Sequence, residues 1–294
     1  MNPLALFFAS GESLYSGAVL LLFVIAVSRY VRQRWHLLTR NILAWIALAM
    51  MVMASPPFPF FIGGTFLLAF GLWFISRNLS VTRQLPQLTS ALLLAVLLVL
   101  LPASEFRHRF LPTLSGMPSD HLVVIGDSIS SGINPLIPPW PAVMQQMTGE
   151  RVVNLARPGA YVSDGLDMAD KLQPNDRLIL IEIGGNDLIT GVPASDFGLS
   201  LDALLRKVAT PGRTVVMFEL PLLPWRVEYG QVQRALAGRY RVHLIPKRYL
   251  TYVIGGPKAT SDGLHLLPEG EHRMAVLVGR VFSQVLNPNV ASAN

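Results

Sequence analysis

The order of apolar and polar positions splits the chain into two halves of different character. No charged residue lies between Arg40 and Arg77, and none between Arg83 and Glu105. Residues 14–28, 41–54, 60–75 and 88–101 form four apolar stretches and predict four membrane-spanning helices. Each core is shorter than the ~20 residues a bilayer requires, but uncharged flanks lengthen every one. Pro56, Pro57 and Pro59 interrupt the second and third stretches, and proline cannot continue a helix, so a hairpin is expected there. Beyond residue 120 the period changes. Short β-branched runs at 122–125, 152–154, 177–183, 214–218 and 242–245 read as strands. Helical patterns fall between them at 140–147, from Ser163 or Asp164 to about Leu172, from Ser195 to Val208, and at 227–237. A last helix opens at Pro268 and carries the stripe Met274, Leu277, Val278, Val281, Phe282 and Val285. Strands alternating with helices predict an α/β sandwich on a parallel sheet.

The expected organisation is a membrane domain over residues 1–103, a proline-containing linker over 104–119 and the sheet domain over 120–294. Composition agrees with this division. The chain is 51% hydrophobic and 14% charged, where a soluble domain has about 25% charged residues. Charge then orients the helices. Arg29, Arg32, Arg34 and Arg40 follow the first stretch, and Arg77 and Arg83 follow the third. The positive-inside rule puts both loops in the cytoplasm and both chain ends outside. The first residues carry no cationic segment, so a cleavable signal peptide is not expected. Residues 1–103 hold six of the basic side chains and one acidic one, which accounts for most of the net +6. That distribution leaves no basic face for nucleic acid. Arg239, Arg241, Lys247 and Arg248 form a small basic cluster that reads as a solvated face. The absence of cysteine excludes disulfides, thiolate metal sites and a cysteine nucleophile.

Candidate chemistry gathers where strands end. Gly126-Asp127-Ser128-Ile129 closes the first strand, and a serine there sits on the edge where open α/β sheets hold their ligands. Asn154 and Gly159 follow the second strand, and Gly184-Gly185-Asn186-Asp187 follows the third. Asp262 precedes His265 by three residues, a spacing that lets a carboxylate reach Nδ1 and leave Nε2 free to deprotonate a serine. Asp127 reads as a loop-backbone acceptor. His36, His108, His121, His243 and His272 lack partners at ligand spacing, and no metal or cofactor is expected. Tyr161, Pro193, Leu222, Leu223 and Trp225 either line an acyl pocket or pack.

These blocks, in this order, resemble those of the SGNH (GDSL-type) hydrolases, with the local texture of the bacterial thioesterase/lysophospholipase and arylesterase branch. The likeness covers about residues 120–286. Ile129 stands where leucine is usual. The motif is not Gly-x-Ser-x-Gly, which disfavours an α/β-hydrolase elbow. The resemblance implies a flavodoxin-like three-layer sandwich and a serine esterase. By it Ser128 is the nucleophile, His265 the base and Asp262 its orienter. The oxyanion hole is then formed by the Ser128 and Gly159 N–H groups with Asn186 Nδ2, supported by Asp127, Asn154, Gly185 and Asp187. The function implied is hydrolysis of acyl or acetyl esters of a lipid or envelope glycan at the outer face of a bacterial cytoplasmic membrane. Two alternatives remain open: an O-acyltransferase of envelope polysaccharide and a non-catalytic subunit of a membrane assembly. Gly63, Gly64, Ala69 and Gly71 give the third apolar stretch a small-residue face suited to helix contact, including contact with an envelope partner.

Overall fold

The computed structural model describes residues 3–28, 30, 34–78, 84–115, 119–222 and 225–286. The chain forms two compact units, one built mainly on residues 7–109 and the other mainly on 110–222 and 228–294. Arg29, Arg32, Arg83 and Leu223 lie outside the described residues.

The helical unit follows the apolar stretches. A short α1 (Pro3–Ala9) leads into α2 (Glu12–Val27), followed by α3 (Arg34–Met53), α4 (Phe60–Asn78) and α5 (Gln84–Phe106). By length and composition α3, α4 and α5 can each cross a membrane, and α1 with α2 makes a fourth span if that bent pair is one. Leu21, Ala44, Ala47, Trp73, Leu94 and Leu98 fill the interior. Packing is tightest at Gly17, where a Cβ would lie 2.7 Å from Ala47 O and from Met51 Cγ. The small-residue face expected on α4 plays no such part. Cβ atoms at Gly63, Gly64 and Gly71 would meet nothing within 4 Å, and of that set only Ala69 is buried. Helix α5 runs through Pro102 to Phe106 and ends in a 3₁₀ turn at Arg107–Arg109.

The sheet unit has five parallel strands in the order β2-β1-β3-β4-β5. They are β1 (His121–Gly126), β2 (Arg151–Asn154), β3 (Leu178–Glu182), β4 (Thr214–Phe218) and β5 (His243–Ile245). Every residue of β1 and β3 is buried, as expected for central strands covered on both faces. Leu122, Val124, Leu178, Leu180, Val216 and Phe218 point into one core, shared with α7 (Trp140–Thr148), α12 (Lys247–Gly255) and α13 (Pro268–Phe282). Ile125, Ile179, Ile181, Val215 and Met217 point into the other, shared with α8 (Gly165–Ala169), α10 (Ala194–Val208) and α11 (Val227–Tyr240). The fold is therefore the flavodoxin-like three-layer sandwich. Two short helices, α6 (Ser128–Ser131) and α9 (Gly185–Thr190), start where β1 and β3 end. In this strand order the chain reverses direction across the sheet between β1 and β3, and the crevice outside their carboxyl ends is the natural ligand site.

The helix expected up to Leu172 is shorter than its pattern. A 3₁₀ turn at Val162–Asp164 precedes α8, which stops at Ala169. Helix α12 was not expected, and it changes the reading of the basic cluster. Lys247 is buried beside Glu219, so it does not belong to a solvated face, whereas Arg239 pairs with Asp202 at the surface.

Candidate active site

The site begins at the end of β1. Gly126 is fixed by space: a Cβ there would stand 2.8 Å from Ser130 Oγ and 2.9 Å from Glu182 O. The chain then turns into α6, capped by Asp127, whose Oδ1 accepts from Ile129 N at 2.9 Å. Asp127 N donates to Glu182 O at 3.1 Å, and Asn154 Nδ2 donates to Ser130 O at 2.8 Å. Three hydrogen bonds thus hold a four-residue helix whose first member, Ser128, is 8% exposed.

The neighbouring loops converge on this turn. Gly159 has φ 73°, which lets its loop reverse at an exposed point. Asn186 Nδ2 donates to Ala160 O at 2.9 Å, and Asp187 Oδ2 accepts from Val162 N at 3.0 Å, so the loop after β3 is fastened to the loop after β2. A primary amide has two N–H bonds, and the second one of Asn186 can meet a ligand. At Gly185 a Cβ would come within 3.5 Å of Asp127 Oδ2.

The turn before α13 carries Asp262 and His265. Asp262 Oδ2 and His265 Nδ1 are 2.6 Å apart, while Asp262 Oδ1 accepts from Leu264 N at 2.9 Å and His265 N at 2.8 Å. The His265 backbone and ring N–H groups hold the Asp262 carboxyl well below the usual carboxylate range. Burial pushes Asp127 up to about 6, opposed by the Ile129 N–H and by the charge of His265, and reinforced by Asp187.

With these loops in place, the profile of the GDSL-like Lipase/Acylhydrolase family matches residues 124–273, just over half of the chain. The chain belongs to this family. It is a GDSL/SGNH carboxylic ester hydrolase. An arylesterase of Vibrio mimicus is 29% identical over 188 residues, covering 58% of this chain and 92% of that enzyme. The esterase TesA of Pseudomonas aeruginosa is 26% identical over 159 residues, covering 49% of this chain and 78% of that protein. Among solved structures, the psychrotrophic esterase EstA of Pseudoalteromonas sp., inhibited by monoethylphosphonate, superposes with a TM-score of 0.51 at 19% identity. It covers 57% of this chain and all of that one, a likeness of fold.

The GDSL/SGNH frame also holds groups that sequence reasoning passed over. Glu182, Ser130, Trp140 and Glu271 form a buried polar chain beside the site. The available signal was an acidic residue inside the otherwise apolar run of β3. Burial pushes Glu182 well above the ordinary glutamate value, reinforced by Asp127 and Glu271, and pushes Glu271 up to about 7 against the Trp140 N–H. Of the residues read as lining or packing, Leu222 is core and Trp225 is exposed. His121 is structural: its ring nitrogens lie 2.6 Å from Asp120 and 2.7 Å from Asp176. Among the described residues no group of three or more His, Cys, Asp or Glu side chains gathers as metal ligands.

Proposed function

We propose that this chain is a membrane-anchored serine esterase acting on acyl or acetyl esters of a lipid or envelope glycan. Ser128 is the nucleophile, His265 the general base and Asp262 the group that orients it. The observation that carries the reading is the 2.6 Å bond between Asp262 Oδ2 and His265 Nδ1. With Nδ1–H held by a carboxylate, Nε2 is the basic nitrogen. It takes the proton of Ser128 as Oγ attacks the ester carbonyl, then returns that proton to the departing alcohol. The acyl-enzyme is hydrolysed by water activated in the same way. The oxyanion of each tetrahedral intermediate is met by the Ser128 and Gly159 N–H groups and by Asn186 Nδ2. Asp127, Asn154, Gly185 and Asp187 hold those donors in place.

The proposed layout is a membrane domain over residues 1–103, a linker over 104–119 and the hydrolase over 120–294. The arginines after the first and third apolar stretches favour a hydrolase domain on the extracytoplasmic side of a bacterial cytoplasmic membrane. A tether of this kind keeps the enzyme beside membrane-borne esters, and the helices are also where an envelope partner would dock.

The test is acyl release by the full chain in detergent, from acetyl to palmitoyl esters and lysophospholipid, with Ser128→Ala in parallel. Ser128-dependent release is expected, with a wild-type rate at least about 10³-fold above the variant. Long-chain preference identifies lipid and acetyl preference identifies glycan decoration. Release that is independent of Ser128 overturns the mechanism, and acyl transfer to a glycan faster than to water replaces the hydrolase by a transferase.

A further inference from the structure

Beside the candidate nucleophile runs a line of buried polar groups that the proposed reaction does not use. Ser130 Oγ donates to Glu182 Oε2 at 2.7 Å and accepts from Trp140 Nε1 at 3.2 Å. The backbone N–H of Trp140 donates to Glu271 Oε2 at 2.6 Å. All four residues are buried. A polar group in such a place costs stability unless it is hydrogen-bonded, and here each one is.

The two ends of this line are fixed to the two halves of the site. At one end Ser130 shares the four-residue α6 with Ser128, and Glu182 O holds Asp127 N. At the other end Glu271 lies in the first turn of α13, where its N–H donates to Leu267 O at 2.9 Å. Leu267 N is bonded in turn to Ala259 O at 2.8 Å, and Ser261 N to His265 O at 3.0 Å, closing the turn that carries Asp262 and His265. Trp140 and Glu271 are separated by 131 residues of sequence, so the bond between them joins elements with no local reason to keep register.

We propose that Glu271 and Trp140 are positioning residues for this esterase: the Glu182–Ser130–Trp140–Glu271 line ties the Ser128 turn to the Asp262–His265 turn and sets the separation of nucleophile and base. The inference rests on the catalytic reading of Ser128 and His265. Its physical basis is the small size of the parts. Helix α6 has one turn and His265 stands in a bend, so the backbone bonds that close each turn do not by themselves fix the distance between the two. Proton transfer demands a fixed donor–acceptor distance, and small misplacements lower the rate steeply. Trp140 fits the task because its indole N–H holds Ser130 while its backbone N–H holds Glu271.

The experiment measures kcat and KM of the full chain in detergent with p-nitrophenyl acetate. Competent sites are counted by stoichiometric phosphonate labelling, for wild type, Glu271→Leu, Glu271→Gln, Trp140→Phe and Ser128→Ala. Glu271→Leu and Trp140→Phe are expected to lower kcat per labelled site about 10- to 100-fold with KM changed little. Glu271→Gln keeps an oxygen for the Trp140 N–H and is expected to recover most of the loss. A Glu271→Leu enzyme with the wild-type rate per labelled site overturns the proposal, as does a loss of sites at unchanged rate, since that marks a folding role. A Glu271→Gln enzyme as slow as Glu271→Leu overturns it too. Activity retained by Ser128→Ala, by contrast, removes the catalytic reading itself, whatever the Glu271 variants do.

Discussion

The two units bury polar groups in opposite ways. In the helical unit the middle is apolar and the polar contacts lie toward the helix ends. Arg109 meets both oxygens of Glu12 at 2.9 Å, and Arg40 Nη2 donates to Asn78 Oδ1 at 2.7 Å. In the sheet unit Asp127, Glu182, Asp187 and Glu271 are at most 4% exposed, and the first three lie where β1 and β3 end. Burial works against the charged form of all four, and each has a raised pKa. Stability alone does not favour such carboxyls over apolar residues of similar volume. The helical unit is thus built for packing, whereas the candidate site keeps unfavourable groups for their geometry.

The largest expected effects lie at that site. Asp262→Asn keeps the size of the side chain but offers an amide to His265 Nδ1, which permits the wrong tautomer. The change is expected to lower kcat by about 10⁴-fold, with little change in melting temperature. A wild-type rate in that variant sinks the role of Asp262. Asn186→Ala removes one proposed oxyanion donor and is expected to cost about 10²–10³-fold in kcat. Because Asn186 also bonds Ala160 O, its thermal melt should be recorded beside the kinetics. Unchanged turnover would leave Asn186 as a loop fastener only.

Legibility from sequence divides along the same line. Strand β1 was readable because burial on both faces leaves an uninterrupted apolar run, and β4 at Thr214–Phe218 agrees with its pattern to the residue. The turns that carry Ser128, Asn186 and His265 were readable because each is marked by glycine and short polar side chains at close spacing. Helix α12 was not: it opens with Lys247-Arg248, and its buried stripe Leu250, Val253 and Ile254 spans little more than one turn of a nine-residue helix. Helices α6 and α9 are too short to show a period. The line from Glu182 to Glu271 was invisible for a different reason. Its bonds join residues up to 131 apart, and no local pattern records a long-range hydrogen bond. The α4 glycines leave open space within this unit, because small residues permit close helix packing without requiring it, and the tight approach inside the unit lies at Gly17 of α2.

The Gly17 contact gives a way to disturb the helical unit alone. At Gly17 a side chain would collide with a backbone carbonyl as well as with Met51, and rotation of Met51 relieves only the second clash. Gly17→Leu is expected to destabilise the helical unit by about 3 kcal/mol. In detergent, the ester hydrolysis rate per folded molecule is expected to stay at the wild-type value. A fall in that rate would show that the helices do more for catalysis than anchor it.

The smallest effect is a slope of stability against pH, and its sign follows from the carboxyls of the sheet unit. Asp127 is pushed up to about 6, Glu271 up to about 7, and Glu182 well above the ordinary glutamate value, each chiefly by burial. Between the unfolded carboxylate range and these values the folded protein holds protons that the unfolded chain has released. Stability must then fall as pH rises through that interval. The lowered carboxyls, Asp262, Asp120, Asp202 and Glu219, act in the other direction, but they lose their contribution only as pH falls below about 4, so they do not mask the slope. His243, lowered by burial, opposes the slope near its ordinary value, because the unfolded chain binds the proton that the fold excludes. For this reason the informative quantity is a difference between variants. Relative to wild type, Glu271→Gln cannot ionise, and its unfolding free energy is expected to decline less between pH 5 and 8, by about 2 kcal/mol. Denaturant melts of both proteins across that range measure it. Parallel curves would mean that the Glu271 carboxyl is solvated in solution, and the contrast between the two units would lose its strongest member.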